Sequence, residues 1–321
     1  MSKESLFAIG AGVLSAASAL AFLTRAPGSL IIVYLASLPL FMAGLAIGPR
    51  AVAIAAAVGF MTSGLFGGAF IAGVFGLMQA LPAWLLVKQV LLQRPTGPGG
   101  QTEWYPVGEA LSWLTLLAAA MLAIVAITNA GGERGFLGMI SLRLDELLHA
   151  MAPHLGDGQR ARTVAVMAPL FPGAVGGSWL IMSVVNAALA QAILVRMNRG
   201  LRPTPAYAET ILPQWISWPL VGAAASALIG SGDMQYTGRN LAMVLAVPFF
   251  LVGLAVAHTL ARRVAYRGLV LAAFYLVLLL SGWAMVAVAG LGVVEQWFGV
   301  RQRFAGPPAG GSAGGPPAVT D

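Results

Sequence analysis

A few residues of this chain could do chemistry inside an apolar surrounding. Glu109 follows Trp104-Tyr105-Pro106 and falls in the first turn of a predicted helix. A carboxylate is favoured there by the helix dipole, and it could hold a cationic group or a proton. Gln79, Asn186 and Gln191 lie deep in uncharged runs, where a polar side chain is costly and is a default candidate for a solute site. Asn186 and Gln191 are five residues apart, so they face different directions on a helix. The glycines and serine of Gly173, Gly176, Gly177 and Ser178 follow Pro172 and suggest an interrupted helix. Such a break exposes backbone groups that can hold a substrate or ion, and it is tolerated only where it lines protein or water. The plainer readings are an interfacial residue for Glu109, interhelical hydrogen bonds for the amides, and a kink for the glycines.

These residues must be positioned by elements that live in lipid. The chain has 321 residues, of which 59% are hydrophobic and 9% charged. A soluble domain carries roughly 25% charge, so this composition excludes a soluble enzyme. The chain has no cysteine, which excludes disulfides, thiolate metal sites and cysteine nucleophiles. Three histidines, His149, His154 and His258, leave little for a metal centre, and no cofactor is expected. No phosphate-binding loop, zinc-protease, nucleophile-elbow or dinucleotide signature is present, and no carboxylate pair lies inside a span. We therefore expect no catalysis.

A bilayer core of about 30 Å needs roughly 20 helical residues. Uncharged runs place spans at Leu6–Leu23, Leu30–Ile47, two within 51–87 that turn near Gly67-Gly68, and Val107–Ala130. Further spans follow at Ala174–Val195 after a broken start, Trp215–Ile229, Leu241–Leu260 and Leu269–Leu291. These runs do not alternate apolar and polar residues, so they are helices and not barrel strands. The expected fold is all-α, a polytopic transmembrane helix bundle of about eight to nine spans over residues 1–304. Ala17-Ser18-Ala19 could mark a signal cleavage, but the apolar run continues to Leu23, so the first span is expected to be retained.

The net charge of +7 reads as topology and not as nucleic-acid binding, because the basic residues sit between apolar blocks. With the N-terminus inside, the inner side receives Lys3, Arg50, Lys88, Arg94, Arg196, Arg199, Arg202, Arg262, Arg263 and Arg267. The outer side receives Arg25, Arg239 and the segment 131–163, whose four arginines are offset by Glu133, Asp145, Glu146 and Asp157. Within that segment Leu137, Ile140, Leu144, Leu147, Leu148 and Met151 recur at helical spacing and predict an amphipathic helix. It could bind a partner or serve as a connector resting on the membrane. Residues 305–321 are rich in Gly, Pro and Ala and are expected to be disordered.

Ala8, Gly12 and Ala16 form a small-residue stripe on the first span. Such a stripe permits close helix approach, either to a partner subunit or within the bundle.

Several short motifs occur in order: Trp104-Tyr105-Pro106 and Gly108, Pro172-Gly173, Asn186-Ala187, Leu201-Arg202-Pro203 and Pro205. Leu212-Pro213, Trp215 and Trp218 follow, then Leu291-Gly292, Trp297-Phe298 and Arg301. Together they resemble the YybS-like family of bacterial integral membrane proteins, over about residues 5–303. In the last motif Glu295 and Gly299 stand where an Asp and an acidic or aromatic residue are expected. That family is distantly similar to the substrate-binding S components of energy-coupling-factor vitamin transporters. The resemblance implies a protein of the bacterial inner membrane that binds a small molecule and docks on a transmembrane coupling subunit driven by ATPases. The stripe Ala8, Gly12 and Ala16 would suit that docking. The solute would be held near Glu109, Gln79, Asn186 and the 173–178 break. The alternative is a non-transporting scaffold or envelope assembly factor, acting through the 136–151 helix and the tail.

Overall fold

The computed structural model describes residues 2–24, 26, 28–96 and 101–304. The expected disorder of 305–321 and the placement of Arg25 lie outside the described residues. The chain divides into two compact units, Met1–Pro248 and Phe249–Asp321.

In the first unit, α1 (Lys3–Leu20) starts from Ser2, whose hydroxyl accepts the Ser5 N–H at 3.1 Å. A 3-10 turn extends it to Thr24. The second apolar run is broken into α2 (Ser29–Tyr34) and α3 (Leu38–Ile47). Pro39 explains the break, because its ring has no N–H and would collide with the carbonyl four residues earlier. The third run contains α4 (Pro49–Phe75), a π-turn (Gly76–Ala80) and α5 (Leu81–Val90). Gly68 has φ 83° and ψ 172°, a left-handed conformation open to glycine. The run folds back there, since a Cβ on Gly59 would strike the Phe75 ring and one on Gly76 would meet Phe60. The expected turn at Gly67-Gly68 is therefore present.

A two-stranded hairpin, β1 (Gln93–Thr96) and β2 (Gln101–Trp104), leads into α6 (Val107–Asn129). It is tied by Arg94 Nε to Glu103 at 2.7 Å. The amphipathic segment forms α7 (Gly135–Met151), followed by α8 (Asp157–Met167). The Asp233 carboxylate accepts the Phe136 N–H at 2.9 and 3.0 Å and so caps α7. Phe136 packs on Tyr236 and Ala126, and Leu144 packs on Val164 and Ala168. The apolar stripe of α7 thus rests in part on the chain itself. α9 (Phe171–Arg196), α10 (Ser217–Ile229) and the first part of α11 (Gly232–Ala261) complete the unit.

In the second unit the rest of α11 meets α13 (Gly282–Phe298) closely enough that a Cβ on Gly253 or Gly292 would enter the opposing backbone. The chain bends by 117° between α12 (Arg267–Leu280) and α13, around Ser281. α14 (Val300–Phe304) closes the described chain.

Among the described residues six helical stretches are long and apolar enough to cross a membrane, with Pro49–Val90 counted as one although it folds back at Gly68, or seven if the bent α12–α13 pair is one span. The fold is all-α, apart from the short hairpin, and it is membrane-spanning. The count of eight to nine expected from sequence is not confirmed on these criteria, which take the folded Pro49–Val90 run as one stretch. At 13 residues α10 rises only about 20 Å, and α12 and α13 are also short singly.

The expected break at Gly173–Ser178 is corrected. That segment is continuous helix inside α9, and the interruption falls earlier, at 168–170. The glycines serve approach to α11: a Cβ on Gly173 would lie 2.9 Å from the Asn240 carbonyl, and one on Gly176 2.8 Å from Val244. Asn240, fully buried, accepts the Gly173 N–H at 2.8 Å and donates to the Pro169 and Tyr236 carbonyls.

Candidate functional site

Trp179, Ser183 and Asn186 recur at i, i+4 and i+7 on α9, so they share one face, and all three are buried. Asn186 Nδ2 donates to the Tyr34 carbonyl at 2.7 Å and to the Met182 carbonyl at 2.8 Å. The Tyr34 carbonyl sits at the α2–α3 break. Ser15 on α1 donates to the neighbouring Ala36 carbonyl at 2.6 Å. Trp179 Nε1 donates to the Met78 carbonyl, in the π-turn, at 2.8 Å. Pro82, four residues beyond Met78, has no N–H to offer that carbonyl. The α2–α3 break and Pro82 therefore leave backbone acceptors within spans, and α9 and α1 supply donors that cover them. In hydrocarbon an uncovered carbonyl costs several kcal/mol.

The seam does not satisfy all of its own polar atoms. Asn186 Oδ1, Ser183 Oγ, Gln79 Oε1 and Ser37 Oγ are buried with no hydrogen-bond partner among the described residues. Gln79 neighbours Met78 in the π-turn, and Ser37 closes the α2–α3 break. Both elements are tied to the same face of α9. Amide oxygens only accept, so Asn186 Oδ1 and Gln79 Oε1 could each take an N–H or O–H donor. Buried polar atoms at this depth are ordinarily paired. Ser178 lies at the edge, where its hydroxyl and the Tyr34 hydroxyl are 2.9 Å apart.

Of the residues expected to form a site, Asn186 lies in this seam, Ser178 at its edge, and Gln79 beside Met78 in the π-turn. Gly173, Gly176 and Gly177 lie against α11 instead. Glu109 is the third residue of α6, half-buried at the end of the bundle where α6 begins, and is not part of the seam. Ala8, Gly12 and Ala16 are buried, and a Cβ on Gly12 would strike the Ala55 carbonyl of α4. The stripe is thus filled by the chain's own helix, which leaves no free face there for a coupling subunit. Gln191 donates to the Arg202 carbonyl at 2.7 Å. In the second unit His258 donates from Nδ1 to the Leu254 carbonyl at 2.9 Å, with Tyr275 3.3 Å from Nε2.

Arg202 is a structural clasp at the end where α5 stops and α6 starts. It donates to the Val90 and Tyr105 carbonyls at 2.9 and 3.1 Å and stacks over Trp104 at 5.7 Å. Burial pushes its guanidinium below the usual range for arginine. The Glu295–Arg301 pair plays a similar part in the second unit: the carboxylate accepts the Arg301 N–H at 2.8 Å and Nε at 2.7 Å. Gly299 between them adopts φ 59°, which explains a glycine at that position.

Sequence reasoning missed Tyr34, Trp179 and Ser183. The signal for them was Pro39 and Pro82, each inside an apolar run. Among the described residues no group of three or more His, Asp or Glu side chains could hold a metal ion.

Residues 13–295 match the family described as "Predicted membrane protein (DUF2232)". No curated protein and no solved structure matches the chain.

Proposed function

The chain belongs to this family of predicted membrane proteins, and from that premise we propose that it is a small-solute binding or transport subunit of the bacterial inner membrane. The observation that carries this reading is the set of unpartnered buried oxygens on Gln79, Ser183 and Asn186. A solute with several donors would satisfy them, whereas a purely structural seam would leave them at a cost of about 1–3 kcal/mol each. On this reading the protein does no catalysis. The motifs that resemble the YybS-like family, and through it the S components of energy-coupling-factor transporters, would fit a binding subunit. A coupling partner would have to dock elsewhere than on Ala8, Gly12 and Ala16.

We place the N-terminus in the cytoplasm. This follows from Arg50, Lys88, Arg94, Arg196, Arg199 and Arg202, which gather where α5 ends and α6 begins. The segment 131–163, with balanced charge, then faces outward.

The test is purification of the tagged protein from its own host in mild detergent, with mass spectrometry of the proteins and small molecules recovered. Recovery of a defined solute, with or without ABC-type ATPases, supports the reading. Recovery of envelope assembly proteins with no solute favours the scaffold.

A further inference from the structure

A second feature stands apart from the polar seam. Leu85, Leu86 and Gln89 of α5 and Trp113, Leu114, Leu116, Leu117 and Ala120 of α6 line an apolar groove of about 300 Å³. Trp113 is half-exposed and Ala120 is exposed, so the groove opens on the lipid-facing surface. Gln89 is the one polar side chain in it. α5 and α6 are joined by the β1–β2 hairpin, so the end of α5 and the start of α6 lie at the same end of the groove.

That end carries a carboxylate. On α6 Glu109 lies four residues before Trp113 and seven before Leu116, on the stripe that lines the groove. It is half-buried, and no hydrogen bond or ion pair reaches its carboxylate among the described residues. On α5 the exposed Lys88 is turned to the Trp84 ring, 5.0 Å away, and not into the groove, so no cation competes for Glu109 there. The nearby acid Glu103 is already engaged by Arg94. An apolar slot open to lipid accepts an acyl chain. A carboxylate on the groove stripe at its mouth complements a head that carries an ammonium. A purely anionic head would meet Glu109 unfavourably.

We propose that the α5–α6 groove is a binding site for a phosphatidylethanolamine molecule. Part of one acyl chain lies in the groove and Glu109 receives the ammonium. This site does not rest on the solute reading of the seam.

The full-length protein is reconstituted into vesicles of phosphatidylethanolamine and phosphatidylglycerol, with one of the two brominated on its acyl chains at a time. The Trp113 contribution to quenching is taken as the difference between the wild type and Trp113→Phe. Brominated phosphatidylethanolamine is expected to quench Trp113 with an apparent affinity about fivefold above brominated phosphatidylglycerol, the size of a single charge-assisted contact. In Glu109→Gln, an isosteric change, that ratio is expected to fall to about one. Ala120→Phe, which fills the groove, is expected to reduce quenching by both lipids. Equal quenching by the two lipids in the wild type, a preference for phosphatidylglycerol, or a selectivity that survives Glu109→Gln would overturn the assignment. Quenching unchanged by Ala120→Phe would overturn it as well.

Discussion

Asn186 on α9 donates to the carbonyl of Tyr34, 152 positions earlier, at 2.7 Å, and in doing so closes a gap in a membrane helix. Its own Oδ1 is left buried and without a partner. One side chain thus has a structural half and an open half.

Asn186→Leu removes the structural half. The Tyr34 carbonyl then lies uncovered in an apolar interior. We expect a loss of about 1–3 kcal/mol in reversible unfolding from detergent micelles. Asn186→Asp, which loses the amide hydrogens but keeps the size, should be no better. Wild-type stability in Asn186→Leu would mean that the Tyr34 bond carries no weight.

Trp179 and Pro82 are coupled through the Met78 carbonyl. Trp179→Phe alone should cost about 1–2 kcal/mol, because that carbonyl loses its donor. In a Pro82→Ala background the new N–H can reach Met78 within the helix, so the same change should cost close to nothing. A double-mutant cycle with no coupling energy would contradict the account of the π-turn.

Much of this arrangement was legible in the sequence, and the reason for each success or failure is local. Uncharged runs located the helices because lipid forces backbone pairing within a segment. Gly67-Gly68 marked a turn in an uncharged stretch too long for one span, and Gly68 takes a conformation that favours glycine. Gln79 and Asn186 were visible as polar residues in apolar surroundings. The glycines after Pro172 were misread, since a glycine-rich helix start and a close-packed helix face look alike in one dimension; only Val244 and Asn240 of α11 distinguish them. The breaks at 35–37 and 76–80 were missed although Pro39 and Pro82 announce them. The hairpin at 93–104, which carries a proline, gave no clear strand pattern. Trp179 and Ser183 became candidates only once their face of α9 met both breaks.

Gly12 and Gly10 make a matched pair on α1. A Cβ on Gly12 would enter the Ala55 carbonyl and crowd Val58, whereas one on Gly10 would meet nothing within 4 Å. Gly12→Ala should therefore destabilise by about 1–3 kcal/mol or prevent accumulation, and Gly10→Ala should be near neutral. Thermal denaturation of both variants checks this, and equal tolerance would show that α1 does not pack on α4 as described.

The absence of cysteine makes sidedness directly measurable. Single cysteines at Arg199 and at Glu146 should be labelled from opposite faces of the membrane by an impermeant maleimide. We expect Arg199→Cys to react only from the cytoplasmic side and Glu146→Cys only from the outer side. Labelling of both from one side would refute the orientation.

The most direct measurement is the small-molecule content of the purified protein. Gln79→Leu with Ser183→Ala removes two unpartnered oxygens while leaving the Asn186–Tyr34 and Trp179–Met78 bonds in place. Wild-type protein, extracted and assayed by mass spectrometry, should release one donor-rich solute at close to one per chain, and the double variant, with unchanged unfolding behaviour, should release at least about tenfold less. Identical extracts from the two proteins, or no solute from the wild type, would contradict a solute site at the seam.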